Sequence, residues 1–267
     1  MKKLIAVALV LVAAFAVFAQ AASEAAPSNK IVVGATPEPH AEMLNLIKED
    51  LAAQGFILEV KEFTDYVTPN EAVESGEIDA NFFQHIPYLE SFNRDKGFHL
   101  VNAGGIHIEP LALYSKKYKA LAELPEGAKI AIPNDPSNEG RALLLLASAG
   151  LITLNDPKAL ESTPLDIKEN PKKLTFAEVE AASLPRVLDD VDAAVINGNY
   201  AIPAGFSASR DGLVVEGADS PYVNVIAVKS GNEKNPAVVA LVKALQSDKL
   251  KKWVADKYKN GEVVVVF

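Results

Sequence analysis

The chain has 267 residues, of which 49% are hydrophobic and 23% are charged, and its formal net charge is −9. This composition is typical of a globular protein with one or two domains and excludes an intrinsically disordered chain. The acidic balance makes nucleic acid and anionic membrane surfaces poor partners. The sequence contains no cysteine, which excludes disulfides, thiolate metal sites and a cysteine nucleophile.

Residues 1–21 have the features of a secretory signal peptide. Lys2 and Lys3 give a basic start, residues 4–18 form an unbroken apolar run, and residues 19–21 (AQA) fit a cleavage site. The apolar run is shorter than the roughly 20 residues that a membrane-spanning helix needs. We therefore expect an exported mature protein, located in the periplasm or elsewhere outside the cytoplasm.

The next part of the chain predicts alternating strands and helices. It begins with KIVVGATPEPHAEML from residue 30, where a β-type hydrophobic run ends at a proline-containing turn and apolar residues then recur at helical spacing. A later strand carries NFFQH at 81–85. Because neighbouring strand residues point to opposite faces, Phe82 and Phe83 cannot both face one side, so we expect one in the core and one at a site.

An internal repeat organises the mature chain. KIAIPNDPSNEGRALLLL, which starts at residue 129, overlays the segment at residue 30, and TFAEVEAASLPRVLDDVDAAVI overlays EFTDYVTPNEAVESGEIDANFF. The first halves are 99 positions apart and the second halves 113, so the second copy has 14 additional residues around 155–173. Two copies of strand–helix–strand–helix–strand predict two α/β lobes with mainly parallel sheets; a single larger α/β domain is the alternative.

Two extended segments are suited to connect the lobes. GGIHIEPLALYSKKY lies between the two copies, and SPYVNVIAVKSG at 220–231 precedes a final amphipathic helix that we expect over 236–258. Two crossings make the first lobe discontinuous. The predicted division is lobe 1 at 28–108, lobe 2 at 109–205, and the return crossing with the rest of lobe 1 at 206–267. The expected shape is a hinged clamp.

Ligands of parallel sheets collect where the strands end, so the turns there supply the candidate site residues. These turns are TPEPH, FTDY, NFFQH, NDPSNEGR and INGNYA. Arg141 is the candidate for a ligand carboxylate, because we expect it in the first turn of a helix, where its guanidinium and the helix N-terminus both favour an anion. A solvated surface arginine is the alternative.

Three further polar residues suit a zwitterion. The amides of Asn199 and Asn224 offer both donor and acceptor without adding net charge, although Asn199 could simply serve a turn beside Gly198. Glu109, just before Pro110, could pair with an ammonium group, or it could form a salt bridge between the lobes.

Taken together, these stretches resemble the methionine-binding proteins of bacterial ABC importers, many of which are lipoproteins. The stretches that carry the resemblance are EPHAEML, EFTDYVTPNEAV, ANFFQHIPYLESFN, HIEPLALYSKKY, IAIPNDPSNEGRALLLL, LPRVLDDVDAAVINGNYA and YVNVIAVKSGNE. They span essentially the whole mature chain. The resemblance implies an α/β, two-lobed clamp like the type II periplasmic binding proteins, with two crossing strands.

The resemblance also implies a function. The clamp would be a monomer that closes over L-methionine and delivers it to an ABC transporter permease and its ATPase, with no cofactor. D-methionine and a methionine-containing dipeptide are alternative ligands. Most members of the family have a lipid-modified cysteine at the signal junction, and this sequence has none. We therefore expect a protein that is not anchored by lipid.

In this family a pocket of aromatic side chains holds the thioether, and Tyr66, Phe83 and His85 match it, with Phe82 as a possible addition. A sulfur–aromatic contact contributes about 0.3–1.5 kcal/mol, and burial of a methionine side chain about 1.5–3 kcal/mol. Arg141, Asn199 and Asn224 match ligand-binding positions as well. The candidate ligand-binding residues are Tyr66, Phe82, Phe83, His85, Glu109, Arg141, Asn199 and Asn224.

Other functions are less well supported by the residues. An enzyme could use His40, His85 or Ser137, but no base is identifiable near Ser137 and no G-x-S-x-G, P-loop, G-x-G-x-x-G or H-E-x-x-H motif occurs. The four histidines lack metal-ligand spacing, so no metal site is predicted. An adhesin would leave the repeated cleft-facing turns without a role.

Overall fold

The structure is a computed structural model that describes residues 29–217 and 220–267, so the predicted signal peptide lies outside the described residues. The strands of the two large sheets are β1 (Lys30–Ala35), β2 (Ile57–Glu62), β3 (Ala80–His85), β4 (Leu100–Ile108), β5 (Ala112–Tyr114), β6 (Lys129–Pro133), β9 (Thr175–Val179), β10 (Ala193–Ile196), β11 (Gly212–Val215), β12 (Asn224–Lys229) and β13 (Val264–Val265), and the short pair β7 (Thr153–Leu154) and β8 (Ile167–Glu169) forms a third sheet.

Ten α-helical segments connect or cover these strands in the described ranges. They are α1 (Glu42–Leu46), α2 (Lys48–Ala52), α3 (Thr68–Ser75), α4 (Ile86–Lys96), α5 (Pro136–Ser148), α6 (Leu184–Val187), α7 (Gly198–Ala201), α8 (Ala208–Asp211), α9 (Pro236–Leu245) and α10 (Asp248–Lys257). Within these ranges, no helix is both long and apolar enough to span a bilayer.

Lobe 1, defined as residues 29–108 and 224–267, contains the six-stranded sheet. Its order is β13-β4-β12-β3-β1-β2, in which β1, β2 and β3 run parallel and β12 and β4 run antiparallel to their neighbours. Apolar clusters cover both faces of the sheet, one of them containing α9 and α10. A parallel centre buried on both faces explains the continuous hydrophobic runs in these strands.

Lobe 2, defined as residues 112–215, repeats this arrangement. Its five-stranded sheet has the order β11-β5-β10-β6-β9, with β6, β9 and β10 parallel. The repeat therefore pairs β1, β2 and β3 with β6, β9 and β10. In both lobes an antiparallel strand that arrives from the other lobe, β12 or β5, lies beside the third strand of the repeat. The predicted α/β clamp with two crossings is confirmed.

Two elements near the C-terminus differ from the sequence prediction. Strand β11 pairs with β5 in lobe 2, so the chain returns to lobe 1 after Val215 and not from residue 206. The single helix predicted over 236–258 is wrong, because the chain forms α9 and α10 separately. Ser247 starts α10 by accepting a hydrogen bond from the Leu250 N–H, and a serine N-cap of this kind favours a new helix over continuation of the previous one.

The additional residues of the second copy form a strap across α5. At Gly140 an added Cβ would lie 2.2 Å from the Leu160 carbonyl oxygen, so only glycine permits this close crossing. The strap carries Glu161 to the edge of lobe 1, where Arg94 on α4 donates to both of its carboxylate oxygens at 3.0 and 2.9 Å. The insertion thus connects the two lobes.

Candidate ligand-binding site

A cavity lies between the lobes at the ends of the parallel strands. Its walls are Tyr66, Phe83, Gln84, His85, Tyr88, Glu109, Asn138, Arg141, Asn197, Gly198, Asn199 and Asn224. Seven of the eight residues predicted from the sequence are among them, and Phe82 is the exception. The structure therefore brings together residues from six separate parts of the chain.

The paired phenylalanines of β3 divide between core and cavity, as expected from alternation along a strand. Phe82 is fully buried in the core of lobe 1, with its ring centroid 4.7 Å from that of His40 and 5.4 Å from that of His107. Phe83 lines the cavity. Phe82 as a possible ligand residue is therefore corrected: its side chain points to the opposite face of the sheet.

Lobe 1 supplies an aromatic wall. The ring centroid of Tyr66 lies 5.7 Å from those of Phe83 and Tyr88, which are themselves 5.9 Å apart. Tyr88 was not predicted, although its place in the first turn of α4, three residues after His85, puts it at the same strand end. Burial raises the pKa of Tyr66 well above its ordinary value, so the phenol is a neutral donor, and it donates to the Asn199 Oδ1 of lobe 2 at 2.5 Å.

His85 completes this wall as a neutral ring. Its Nδ1 accepts from the Tyr88 N–H at 3.1 Å, and its Nε2 lies 3.0 Å from Asn138 Oδ1 across the cleft. Burial, followed by the positive charge of Arg141, lowers the pKa of His85 to about 3. An uncharged ring with both nitrogens engaged contributes a surface to the cavity and no charge.

Arg141 is buried, with 3% of its surface exposed, so the surface-arginine alternative is wrong. It lies in the second turn of α5 rather than the first, because the helix begins at Pro136. Its Nε and Nη2 donate to the two carboxylate oxygens of Glu216 at 2.9 and 2.5 Å, and Nη2 also donates to the Glu109 carbonyl oxygen at 2.8 Å. Tyr222 stacks on the guanidinium at 4.2 Å. Within the described residues, Nη1 has no hydrogen-bond partner.

Glu109 lies on the crossing segment and is surrounded by both lobes. Its Oε1 accepts from His107 Nε2 at 2.8 Å and lies 3.3 Å from His40 Nε2. Burial raises the pKa of Glu109, while the positive charge of Arg141 acts in the opposite direction. Gly198 of lobe 2 approaches so closely that an added Cβ would lie 2.7 Å from Glu109 Oε2. The carboxylate is thus held at the seam of the clamp.

His40, His107 and Glu109 are the described residues that could hold a metal ion, since their ligand atoms all lie within 4.8 Å of one another. The sequence spacing did not indicate this cluster. Hydrogen bonds account for its arrangement: His40 Nδ1 lies 2.8 Å from Thr36 Oγ1, and His40 Nε2 lies 3.3 Å from Asn224 Oδ1. Burial lowers the pKa of His40 to about 4 and that of His107 to about 3, so both rings are neutral.

Two buried amide atoms in the wall of the cavity lack a hydrogen-bond partner among the described residues. They are the acceptor Asn197 Oδ1 and the donor Asn199 Nδ2. Buried polar atoms are almost always hydrogen-bonded, so an unpaired donor and an unpaired acceptor on two residues of the cavity wall favour a polar ligand. Asn197 and Asn138 were not singled out from the sequence, although both lie in turns that were expected to face the cleft.

The fold and the site define a two-lobed solute-binding protein of the periplasmic substrate-binding type. The chain belongs to the NlpA lipoprotein family, whose model matches residues 31–267. The resemblance noted from the sequence is therefore confirmed, and the family consists of binding proteins of ABC transport rather than enzymes.

Relatives support this assignment over most of their length. The D-methionine-binding lipoprotein MetQ of Escherichia coli K12 is 45% identical over 236 residues, which cover 88% of this chain and 86% of the relative. A nutrient-binding protein from Burkholderia cenocepacia, solved with methionine bound, is 47% identical with a TM-score of 0.85, covering 89% of this chain and 100% of that one. A periplasmic substrate-binding protein of an ABC transporter from Coxiella burnetii is 45% identical with a TM-score of 0.84, covering 88% and 100%.

Proposed function

We propose that this protein is an extracytoplasmic receptor that binds L-methionine between its lobes and delivers it to an ABC transporter. The observation that carries the proposal is the unpaired donor and acceptor pair, Asn199 Nδ2 and Asn197 Oδ1, in a cavity whose other wall is aromatic. An amino acid with an apolar side chain has this division of chemistry. The choice of methionine among such amino acids rests on the names of the relatives.

The polar half of the cavity suits both ends of a zwitterion. The free Nη1 of Arg141 and the Nδ2 of Asn199 are donors for the ligand carboxylate. Glu109 and the Oδ1 of Asn197 are acceptors for the ammonium group, with Asn224 as a further amide beside Glu109. Charge-assisted hydrogen bonds of this kind are about twice as strong as neutral ones.

The aromatic half suits the side chain. Tyr66, Phe83 and Tyr88 would surround the sulfur, and each sulfur–aromatic contact contributes about 0.3–1.5 kcal/mol. With burial of the side chain and the polar contacts, an affinity of micromolar or better, about 8 kcal/mol, is within reach.

Ligand binding would close the clamp, because the ligand contacts groups from both lobes. The closed arrangement also has its own contacts across the cleft, such as the bond from the Tyr66 hydroxyl to Asn199 and that from the Tyr200 hydroxyl to the Thr64 carbonyl oxygen at 3.1 Å. A ligand shifts an equilibrium by its differential affinity for the two states. The closed monomer would then be the form recognised by the permease and its ATPase.

D-methionine is the second candidate ligand, because relatives are named for it. The two enantiomers place the same three groups around the α-carbon in mirror-image order. A cavity that engages the carboxylate through Arg141, the ammonium group through Glu109 and the side chain through the aromatic wall would therefore favour one enantiomer. A methionine-containing dipeptide would also need room for a second residue in the same cavity.

Calorimetric titration of unfolded and refolded, ligand-free protein tests the proposal. We expect tight binding of L-methionine, weaker binding of D-methionine and glycyl-methionine, and intermediate binding of norleucine, which replaces the sulfur by a methylene group. No heat with any of these ligands would exclude a methionine receptor. Tighter binding of D-methionine would reverse the choice of enantiomer.

We also propose that the mature protein is extracytoplasmic and carries no cysteine-linked lipid, because the sequence offers no cysteine to modify. Intact-mass measurement of the protein from its native host tests this. A mass that matches a cleaved, unmodified chain is expected, and an added diacylglyceryl mass would contradict it.

A further inference from the structure

Asn138 connects the two lobes beside the aromatic wall. It lies in the first turn of α5 in lobe 2, three residues after Asp135, the residue that caps this helix. The Nδ2 of Asn138 donates to both carboxylate oxygens of Asp135, at 2.9 and 3.0 Å. Because a carboxylate only accepts hydrogen bonds, Asp135 fixes which end of the amide faces it. The amide nitrogen is held within lobe 2, and the amide oxygen faces the cleft.

The amide oxygen of Asn138 then determines the protonation of His85. It accepts from Asn197 Nδ2 at 2.7 Å and lies 3.0 Å from His85 Nε2 of lobe 1. An oxygen acceptor at this position requires a proton on Nε2. At the other side of the ring, Nδ1 accepts from the Tyr88 N–H at 3.1 Å and so carries no proton. Both contacts therefore select the same neutral tautomer of His85.

We propose that Asp135 is a positioning residue for ligand capture: it orients Asn138 so that closure of the lobes forms a hydrogen bond to the Nε2–H tautomer of His85. Asp135 does not line the cavity; besides Asn138 it accepts a hydrogen bond from the Ser137 hydroxyl at 3.1 Å, and of these two partners only Asn138 is part of the cavity wall. The bond joins the polar lobe to the aromatic wall at the point where the ligand side chain is enclosed. The effect of Asp135 on methionine affinity rests on the proposed function, whereas its effect on the His85 tautomer does not.

Asp135→Asn separates this role from helix capping. Asparagine is as good an N-cap as aspartate, and its Oδ1 can still accept from the Asn138 N–H, as Asp135 Oδ1 does at 3.0 Å. Its NH₂ group, however, replaces an acceptor with a donor opposite the Asn138 NH₂. The Asn138 NH₂ keeps an acceptor in Oδ1 but meets a donor in place of Oδ2. An Asn138 amide that turned over to relieve this conflict would place its NH₂ against two donors, Asn197 Nδ2 and His85 Nε2–H.

The test combines calorimetry with side-chain nitrogen NMR of His85, which distinguishes the two neutral tautomers. The loss of one hydrogen bond across the cleft corresponds to about a two- to twelvefold weaker affinity for L-methionine, with the change mainly in the dissociation rate. We expect this loss in Asp135→Asn, together with a shift of His85 toward the Nδ1–H tautomer. A residue that serves only the fold would not change the tautomer.

Asp166→Asn is the matched control, because Asp166 accepts hydrogen bonds in another turn of lobe 2, from the Thr163 N–H and hydroxyl, and is absent from the cavity wall. Asp135→Ser keeps a capping oxygen and serves if Asp135→Asn does not fold. A folded Asp135 variant with unchanged tautomer and affinity would overturn the inference.

The tautomer is recorded both without ligand and with saturating L-methionine. Wild-type protein that does not bind methionine would therefore contradict the proposed function alone, while the comparison of His85 between wild type and variant would still decide the role of Asp135.

Discussion

The two copies of the repeat have the same topology and opposite chemistry at the cleft. In lobe 1 the ends of the strands present Tyr66, Phe83 and Tyr88, which form an aromatic surface. In lobe 2 the equivalent ends present amides and a cation, namely Asn138, Arg141, Asn197 and Asn199. The fold therefore determines the positions of the ligand-binding residues. The residue types at those positions differ between the lobes because the ligand itself has an apolar part and a polar part.

This asymmetry also explains why the protein needs two lobes. Neither the aromatic wall nor the polar half alone can contact both the side chain and the charged groups of an amino acid. The two halves also contact each other across the cleft, as in the hydrogen bond from Tyr66 to Asn199. Changes on one side of the cleft should therefore affect ligand binding, while changes on the opposite face of the same strand should affect stability. The predictions below test that separation.

The largest effect is expected from Phe82→Ala, which leaves a cavity in the core of lobe 1. Truncation of a buried phenylalanine lowers the free energy of unfolding by about 3–5 kcal/mol, and we expect this range in denaturant titrations. Its neighbour provides the matched control. Phe83→Ala should lower stability less and weaken methionine binding by about 1–3 kcal/mol. Equal losses of affinity in the two variants would contradict the division between core and cavity.

Arg141→Ala tests the polar half. The substitution removes the donor for the ligand carboxylate and leaves Glu216 without its partner, so methionine affinity should fall by about 2–5 kcal/mol. Arg186→Ala is the control, because Arg186 also lies in lobe 2 but is exposed, lies outside the cavity wall and donates to the Ser183 hydroxyl. Calorimetry of both variants, with circular dichroism to verify folding, measures the effect. An affinity within twofold of wild type would remove Arg141 from the site.

The fold and much of the site follow from the sequence because they depend on local pattern. The repeat aligned Ala80 with Ala193, 113 positions apart, and these residues begin β3 and β10. For β2 and β9 the same offset matches only the last residue of β2 with the first residue of β9. Alternation along β3 separated Phe82 from Phe83. The position of a residue at a strand end, together with its residue type, is therefore enough to predict most of the cavity wall.

What the sequence did not reveal depends on pairing between distant residues. Glu216 holds Arg141 from 75 positions away, and His40, His107 and Glu109 meet only because a crossing strand lies beside β3. A buried amide network of Asn70, Asn81 and Gln84 likewise requires the tertiary structure to become visible. Polar residues of this type have no periodic signal, since their partners come from other elements.

The two sides of the cleft should also respond to pH in opposite directions. In lobe 1, burial keeps His40, His85 and His107 neutral, with pKa values lowered to about 4, 3 and 3. Below their ordinary pKa near 6.5 the unfolded chain therefore binds more protons than the folded chain. The histidines make stability fall as the pH falls from about 6.5 toward 4.

In lobe 2, burial and then the nearby carboxylates of Glu178, Asp135 and Asp166 raise the pKa of Glu139 to about 7. Between about 4.5 and 7 the folded chain therefore retains a proton that the unfolded chain has lost, so this group makes stability fall as the pH rises. Glu139→Gln should remove that fall and stabilise the protein at pH 8 by on the order of 1 kcal/mol, with little change at pH 4.5. The check is the melting temperature of wild type and variant at several pH values from 4.5 to 8. A difference between the two proteins that stays constant over this range would contradict the raised pKa of Glu139.

The smallest effect is expected at the strap, where the lobes meet outside the cavity. Arg94 of lobe 1 and Glu161 of the inserted segment form an exposed ion pair between the lobes, which we expect to break when the cleft opens. Exposed pairs are weak because water screens them, so Arg94→Ala should reduce methionine affinity less than about fivefold, chiefly through faster release. The reduction should disappear at high salt and in the presence of Glu161→Ala, which a double-mutant cycle measures.

Arg210→Ala is the matched control for the strap, because Arg210 and Asp211 form an ion pair of similar exposure within lobe 2 alone. Both pairs should contribute little to unfolding, but only the pair across the cleft can distinguish the closed state from the open one. If Arg210→Ala changed ligand release as much as Arg94→Ala, the effect would come from the overall charge of the protein. If only Arg94→Ala changed ligand release, the 14 additional residues of the second copy would contribute to closure of the cleft. These residues are the part of the second copy that has no counterpart in lobe 1.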